Sequence, residues 1–212
     1  MKNYLTLTIA LLLTLGTTAF AQKKSANDWV NLFDGKTLTG WKAAENPGTF
    51  SVEDGAIMVF GPRAHLFYEG AVNDHNFKNF EWKAKVKTMP GANSGMFIHT
   101  AYQETGWPAK GYEIQVNQTH TDWRKTGSVY GKQDVKETFV KDDEWYTEHI
   151  IVKGNQVTVM INDKVINSYT EPESITQGTS AQKLSAGTIA IQGHDPKSKV
   201  YFKDVQVRIL PD

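Results

Sequence analysis

The residues best suited to chemistry lie in one short alternating stretch, GYEIQVNQ, at positions 111–118. Successive side chains of a β-strand point to opposite faces, so Glu113, Gln115 and Asn117 are predicted to share one face. The residues between them are predicted to face an apolar core: Tyr112, Ile114 and Val116. A carboxylate beside two amides either belongs to an ordinary solvated surface or forms the floor of a polar groove, and we expect the groove.

Four other residues have side chains that can donate or accept a proton: His99, Lys125, Tyr130 and His194. Each has a structural alternative, because a lone histidine is often a satisfied core group, a lysine a solvated charge and a tyrosine a packing residue. His194 shares a strand face with Gln192 and precedes Asp195. Neither HxH nor HExxH spacing occurs, so the sequence does not establish a metal site.

The elements that must position these side chains are strands. FEWKAKVK at 80–87 alternates apolar and charged residues, and GNQVTVMINDKVINSY at 154–169 is typical of a hairpin that turns at Asn162-Asp163. Further strands are predicted in GTIAIQGH and KVYFKDVQVRIL, and only 173–184 is irregular enough for a loop or a short helical turn. The pattern predicts an all-β fold of two packed antiparallel sheets, a sandwich or jelly roll, as one domain over residues 22–212.

The N-terminus indicates export. Residues 1–21 combine Lys2, an apolar segment from about Leu5 to Leu15 and the small-residue pattern Ala19-Phe20-Ala21, which predicts a cleaved signal peptide and no membrane span. A cysteine for lipid attachment is missing, so we expect a periplasmic or extracellular protein. Loss of Lys2 changes 23 basic and 23 acidic residues to 22 against 23, a balance that argues against nucleic acid as a partner.

Seven segments together resemble one known family. They are NLFDGKTLTGW at 31–41, FSVEDGAI at 50–57, GANSGMFIH at 91–99, GYEIQV at 111–116, TGSVYG at 126–131, EWYTEHIIVKGNQVTVMIND at 144–163 and IAIQGHDPKSKVYFKDVQVRIL at 189–210. In this order they are similar to the 3-keto-disaccharide hydrolase family, and the resemblance covers about Trp29 to Leu210.

The resemblance implies a concanavalin-like jelly roll that cleaves 3-keto-glycosides by elimination, in some relatives with a divalent metal ion. A ketone at C3 acidifies the proton on C2, so a base can remove this proton and the group on C1 can leave. Such a site needs a base, an electrophile for the enolate oxygen and an acid for the departing oxygen. It does not need the two facing carboxylates of an ordinary glycosidase.

For this chemistry Glu113 is expected to be the base or a metal ligand, with the acid or electrophile among His194, His99, Lys125 and Tyr130. The expected sugar-binding residues supply aromatic faces or amides: Trp107, Trp123, Gln115, Asn117, Asn93 and Gln192. Asn93-Ser94-Gly95 is also expected to form the turn that leads into the next strand.

Two other functions stay open at this point. A carbohydrate-binding module without catalysis could use the same scaffold, since a fold does not determine an activity. A purely structural or adhesive exported domain is the third reading. The sugar, the metal if there is one, the choice between lyase and hydrolase outcomes, and the choice between monomer and homo-oligomer stay undetermined.

Overall fold

The computed structural model describes residues 28–212, which form two antiparallel sheets packed face to face. The predicted signal peptide, residues 1–21, lies outside the described residues. No helix in the described range is long and apolar enough to cross a bilayer. The predicted all-β jelly-roll sandwich is confirmed.

The larger sheet has eight strands. In spatial order they are β11 (Lys164–Thr170), β10 (Gln156–Ile161), β9 (Tyr146–Lys153), β6 (Phe80–Thr88), β13 (Lys199–Ile209), β4 (Ala56–Phe60) and β3 (Phe50–Glu53), and β1 (Val30–Asn31) pairs with β13. The smaller sheet has five strands, in the order β2 (Trp41–Ala44), β5 (Ala64–Tyr68), β12 (Thr188–Gly193), β7 (Asn93–Thr100) and β8 (Tyr112–Asn117). Among residues 28–212, helix is limited to α1 (Glu173–Thr176) and two short 3₁₀ turns, Pro47–Thr49 and Val72–His75.

The core fills the space between the sheets, and strand alternation determines which side chains enter it. In β6 the apolar residues are buried: Phe80, Trp82, Ala84 and Val86. In β8, Ile114 and Val116 are fully buried in the same core, as predicted from their alternation with polar residues. Glu113 and Gln115 therefore face away from the larger sheet.

The predicted hairpin and helical turn are both present. Strands β10 and β11 are joined at Asn162-Asp163, whose positive φ angles of 48° and 65° suit a tight primed turn. The irregular segment 173–184 contains α1.

The prediction of a turn at Asn93-Ser94-Gly95 is wrong. The turn lies one step earlier, where the Ala92 N–H donates to the Met89 carbonyl at 3.0 Å, and β7 already begins at Asn93. Gly95 lies inside β7, opposite Gln115 of β8. Because Gly95 has no side chain, the Glu113 side chain can lie close to its backbone, so the glycine is not needed for a turn.

His99, a residue expected to act in the groove, does not face it. Its φ of 52° is left-handed, and the register between β7 and β12 shifts at the same level. This irregularity turns the ring inward against Phe80, at 5.6 Å between ring centroids. The ring is held there by the Lys78 carbonyl at Nε2 (2.9 Å) and the Ser185 N–H at Nδ1 (3.1 Å). Burial lowers the pKa of His99 to about 4, so the ring is neutral and structural.

Candidate active site

A cavity of about 290 Å³ lies on the face of the smaller sheet that points away from the larger one. Its floor comes from β7, β8 and the end of β12, and its walls from the segments that follow β7 and β8. Seven of the residues expected in the site line it: Asn93, Trp107, Glu113, Gln115, Tyr130, Gln192 and His194. Trp107 and Tyr130 are 46% and 38% exposed, so each residue has surface that a ligand can contact.

Glu113 lies on the floor across the bare backbone of Gly95. A Cβ at position 95 would collide with the Glu113 carboxyl group, so only glycine allows this side chain to lie flat. The Gln192 side chain donates from Nε2 to Glu113 Oε1 at 2.9 Å. Burial raises the pKa of Glu113 to about 8, against the lowering effect of the Gln192 hydrogen bond and with help from the negative charge of Asp122. A carboxyl group with this pKa can exchange a proton near neutral pH.

His194 follows β12 and is oriented by its neighbour in the chain. Although burial acts in the opposite direction, hydrogen bonds from Ser198 and His194 hold the pKa of Asp195 at about 2. An ionised Asp195 can only accept, so His194 donates from Nδ1 to Asp195 Oδ2 at 2.8 Å. The other ring nitrogen, Nε2, is then the atom of His194 that can act on a ligand.

The segment after β8 adds a second histidine and a carboxylate. The backbone N–H of Asp122 donates to His120 Nδ1 at 3.1 Å, and the His120 and His194 ring centroids are 5.4 Å apart. Burial, followed by the nearby His194, lowers the pKa of His120. Asp122 Oδ2 accepts from the Tyr130 hydroxyl at 3.1 Å, so this hydroxyl is already engaged as a donor.

Main-chain hydrogen bonds attach that same segment to the open edge of β8. The Gln115 N–H donates to the Ser128 carbonyl at 3.0 Å, and the Tyr130 N–H donates to the Glu113 carbonyl at 2.9 Å. The wall of the cavity is thereby built on the strand that supplies its floor.

A divalent metal, which the family resemblance raises, has one candidate group in the described chain. The ligand atoms of His120, His194 and Asp195 lie within 4.8 Å of one another. A ligating histidine normally donates its other ring N–H to a carboxylate or carbonyl, and His194 does so. His120 does not, because its Nδ1 accepts an N–H and its proton must sit on Nε2. This arrangement does not fit a metal ion, and no step below depends on one.

Besides His99, three expected site residues lie outside the cavity: Lys125, Asn117 and Trp123. The Lys125 ammonium donates to the His120 and Asp122 carbonyls, each at 3.0 Å. The Asn117 amide donates to the Asp122 and Arg124 carbonyls at 2.9 and 2.7 Å, so both residues shape the loop instead of binding a ligand in the cavity. Trp123 is 48% exposed and carries the Arg124 guanidinium 4.7 Å above its ring centroid.

The sequence interpretation missed several groups around the cavity: Phe97, Tyr112, His120, Asp122, Lys132 and Gln182. Phe97 had an available signal, since it alternates with the core residues Met96 and Ile98 in β7. His120, Asp122 and Lys132 lie in a segment without periodicity, so only the fold brings them to the site.

Comparisons with known proteins agree with this fold. The chain is 25% identical to a 3-keto-disaccharide hydrolase of Bacteroides thetaiotaomicron, over 87% of this chain and 79% of that protein. A crystal structure from Parabacteroides distasonis, of a protein assigned to the glycosyl hydrolases, matches with 26% identity and a TM-score of 0.71, over 86% of this chain and 94% of that one. A carbohydrate-binding module of Bacillus subtilis shares the fold at 11% identity and a TM-score of 0.57, over 80% of this chain and 95% of the module.

Residues 28–208 match the family described as the 3-keto-alpha-glucoside-1,2-lyase-like domain. The match spans nearly all of the described residues, including both sheets and every residue that lines the cavity. The protein belongs to this family.

Proposed function

We propose that the protein cleaves the glycosidic bond of 3-keto-glycosides, including 3-keto-disaccharides, by removing the proton on C2 and eliminating the group on C1. The observation that carries the proposal is Glu113, a carboxyl group with a pKa of about 8 on the floor of a cavity lined by polar and aromatic groups. Family membership supports the same chemistry. The predicted signal peptide would place the reaction outside the cytoplasm.

In this reaction the ionised Glu113 takes the C2 proton. The electron pair of the C2–H bond forms the C1–C2 double bond, and the C1–O bond breaks with its pair on the departing oxygen. Within the cavity the proton for this oxygen comes from Nε2 of His194 in its imidazolium form, because the Tyr130 hydroxyl already donates to Asp122. Asp195 holds His194 through Nδ1, which leaves Nε2 for the transfer.

The lyase and hydrolase names found among the relatives describe two stages of one reaction under this proposal. Elimination alone yields an unsaturated 3-keto sugar and the free leaving group. Addition of water across the C1–C2 double bond would then give the reducing 3-keto sugar, and the sum is hydrolysis. A water molecule placed beside Glu113 after proton transfer would have an acid and a base within the same cavity.

A carbohydrate-binding module is the second candidate, and the exposed rings of Trp107 and Tyr130 at the cavity favour it. A module needs these rings and the floor amides but has no use for a carboxyl group with a raised pKa. The two functions therefore differ in what they require of Glu113.

The test is to incubate the protein, without residues 1–21, with a 3-keto-glucoside and with its unoxidised parent, and to follow release of the aglycone. We expect release from the 3-keto compound only. Release from the parent alone would overturn the elimination proposal. Sugar binding without release from either compound would establish the binding module instead.

A further inference from the structure

Two amide oxygens at the cavity floor have no hydrogen-bond partner among the described residues. They are Oε1 of Gln115 and Oε1 of Gln192, on side chains that are 0% and 1% exposed. Both residues line the cavity. A buried amide oxygen without a partner destabilises the folded state, so an oxygen of this kind next to a cavity indicates a ligand or water that donates to it.

The orientation of the Gln115 amide follows from a chain of hydrogen bonds that starts at a backbone group. The Asp122 N–H can only donate, so His120 Nδ1 is an acceptor. Asn93 Nδ2 therefore donates to the same nitrogen at 3.3 Å, which leaves Asn93 Oδ1 as an acceptor. Gln115 Nε2 donates to Asn93 Oδ1 at 3.2 Å. Rotating the Gln115 amide by half a turn would bring two oxygens together, so its Oε1 must be the unpartnered atom.

Gln192 is oriented by Glu113. When Glu113 is ionised to act as a base, both of its oxygens can only accept. The Gln192 amide must then present Nε2 to Glu113 Oε1, at 2.9 Å, and its own oxygen points elsewhere. Both floor amides therefore have their nitrogens engaged by the protein and their oxygens without a partner.

The two glutamine residues flank the Glu113 carboxyl group. Gln115 of β8 lies opposite Gly95 of β7. On the other side of β7, Ile191 of β12 pairs with Met96, so the next residue, Gln192, lies level with Gly95. The backbones of β8 and β12 are thus about 10 Å apart, with the Glu113 carboxyl group lying over the glycine between them. One sugar ring can cover a floor of this width.

We propose that the Gln115 and Gln192 oxygens each accept a hydrogen bond from a hydroxyl group of the sugar ring above Glu113, and so select neutral sugars with unmodified hydroxyls at those positions. This inference rests on the proposed function in assuming a sugar ligand. A deoxy sugar leaves one oxygen unpaired, an O-methyl sugar offers no proton, and a carboxylate or sulfate places negative charge against acceptors.

Binding of unreactive probes tests the inference without catalysis. We expect calorimetric titration with methyl α-glucoside to show binding, and at least two of its monodeoxy analogues to bind about tenfold more weakly or worse. Methyl α-glucuronide should also bind more weakly. Equal affinity for all of the monodeoxy analogues, or no binding of methyl α-glucoside at its solubility limit, would overturn the proposal.

Variants assign each oxygen to a hydroxyl group. Gln115→Met and Gln192→Met keep the side-chain length and remove the amide, so each should abolish the preference against one deoxy analogue and keep the preference against the other. Gln118→Met is the matched control, because Gln118 also has a buried unpartnered Oε1 but lies outside the cavity. It should keep the full preference pattern even if its thermal stability falls. A Gln118→Met variant that loses the preferences in parallel would show that they reflect general stability and would overturn the proposal.

The outcomes also separate this inference from the proposed function. Cleavage of a 3-keto-glucoside with no preference among the deoxy analogues overturns the role of the two oxygens and leaves the function standing. A clear preference without any cleavage supports their role in sugar recognition and overturns the lyase proposal.

Discussion

Two glutamates with raised pKa values lie in opposite halves of the molecule, the half-buried Glu113 and the fully buried Glu148. Glu113 lies on the floor of the cavity, whereas Glu148 of β9 points into the core, opposite Ala84 of β6 and Ile161 of β10. Burial raises the pKa of both groups, to about 8 for Glu113 and well above its usual value for Glu148. Glu148 is 0% exposed, and neither of its oxygens has a partner among residues 28–212.

The comparison shows that a raised pKa alone does not mark an active site. Loss of water shifts both carboxyl groups in the same direction. Only Glu113 also has a cavity that a ligand can enter and a donor, Gln192, that fixes one of its oxygens. Glu148 has neither, so we expect its protonation to affect stability and not turnover.

The largest expected effect separates the two residues by rate. Glu113→Gln should lower kcat by about 10²- to 10⁴-fold with the fold retained, because the near-isosteric amide cannot take a proton. Glu148→Gln should leave kcat within a few-fold of the wild type. Steady-state kinetics with a 3-keto-glucoside measure both. An unchanged kcat with a raised KM in Glu113→Gln would return this residue to a binding role.

The dependence of kcat/KM on pH should also reflect Glu113 and not Glu148. A base with a pKa of about 8 is mostly protonated at neutral pH, so the ionised fraction of Glu113, and with it kcat/KM, should rise about tenfold per pH unit below this value until His194 loses the proton that it supplies. The profile of Glu148→Gln should superimpose on that of the wild type. The range from about pH 6 to about pH 9 extends roughly one pH unit or more to each side of this pKa. A kcat/KM that stays constant over this range would contradict Glu113 as the base.

A smaller effect is expected from the glycine beneath Glu113. Gly95→Ala adds a methyl group that collides with the carboxyl group, and displacing the base should lower kcat/KM roughly 10- to 100-fold. Gly48→Ala is the control, since nothing lies within 4 Å of its added Cβ. Equal activity of the two variants would show that the position of Glu113 does not depend on Gly95.

Stability should distinguish Glu148. The unfolded chain ionises this group near 4.5 but the folded protein only at much higher pH, so its burial is least costly in acid and the folded state loses stability as pH rises. Glu148→Gln has no charge to bury and should be more stable than the wild type by about 1–3 kcal/mol at pH 8. Urea unfolding at pH 8 and at a pH near 4.5 gives the difference in the free energy of unfolding between the variant and the wild type at each pH. Equal differences at the two pH values would refute the explanation.

The smallest expected effect is that of metal removal. Because His120 accepts at Nδ1 and is not set to bind a metal, dialysis against a chelator should leave both kcat and the melting temperature unchanged. A loss of activity that one divalent metal restores would show that the His120 ring reorients on binding and would require a metal in the mechanism.

Strand periodicity predicted the part of the site that lies on regular strands. The alternation in β8 was enough to place Glu113 and Gln115 away from the core, and Gln192 follows the same logic in β12. It was misleading for Asn117, which is at the end of its strand and hydrogen-bonds the following loop. Alternation holds only while the backbone stays extended and paired.

The residues that sequence reasoning placed wrongly depend on local backbone geometry. The left-handed φ at His99 rotates one side chain to the other face, and no residue type in GMFIHT signals it. His120 and Asp122 reach the site because Lys125 and Asn117 hold their loop by its carbonyls. Such contacts link residues through the fold, so they leave no spacing in the sequence.

The position of β13 in the larger sheet has a consequence for how the protein is made. This strand lies between β6 and β4 and also pairs with β1, so it joins the last and the first strands of the described residues. The larger sheet therefore cannot close until residues 199–209 have been synthesised, and its most distant pairings form last and slowly. Throughout translation the larger sheet of a nascent chain would therefore be incomplete, because β6 and β4 each lack the partner that β13 supplies.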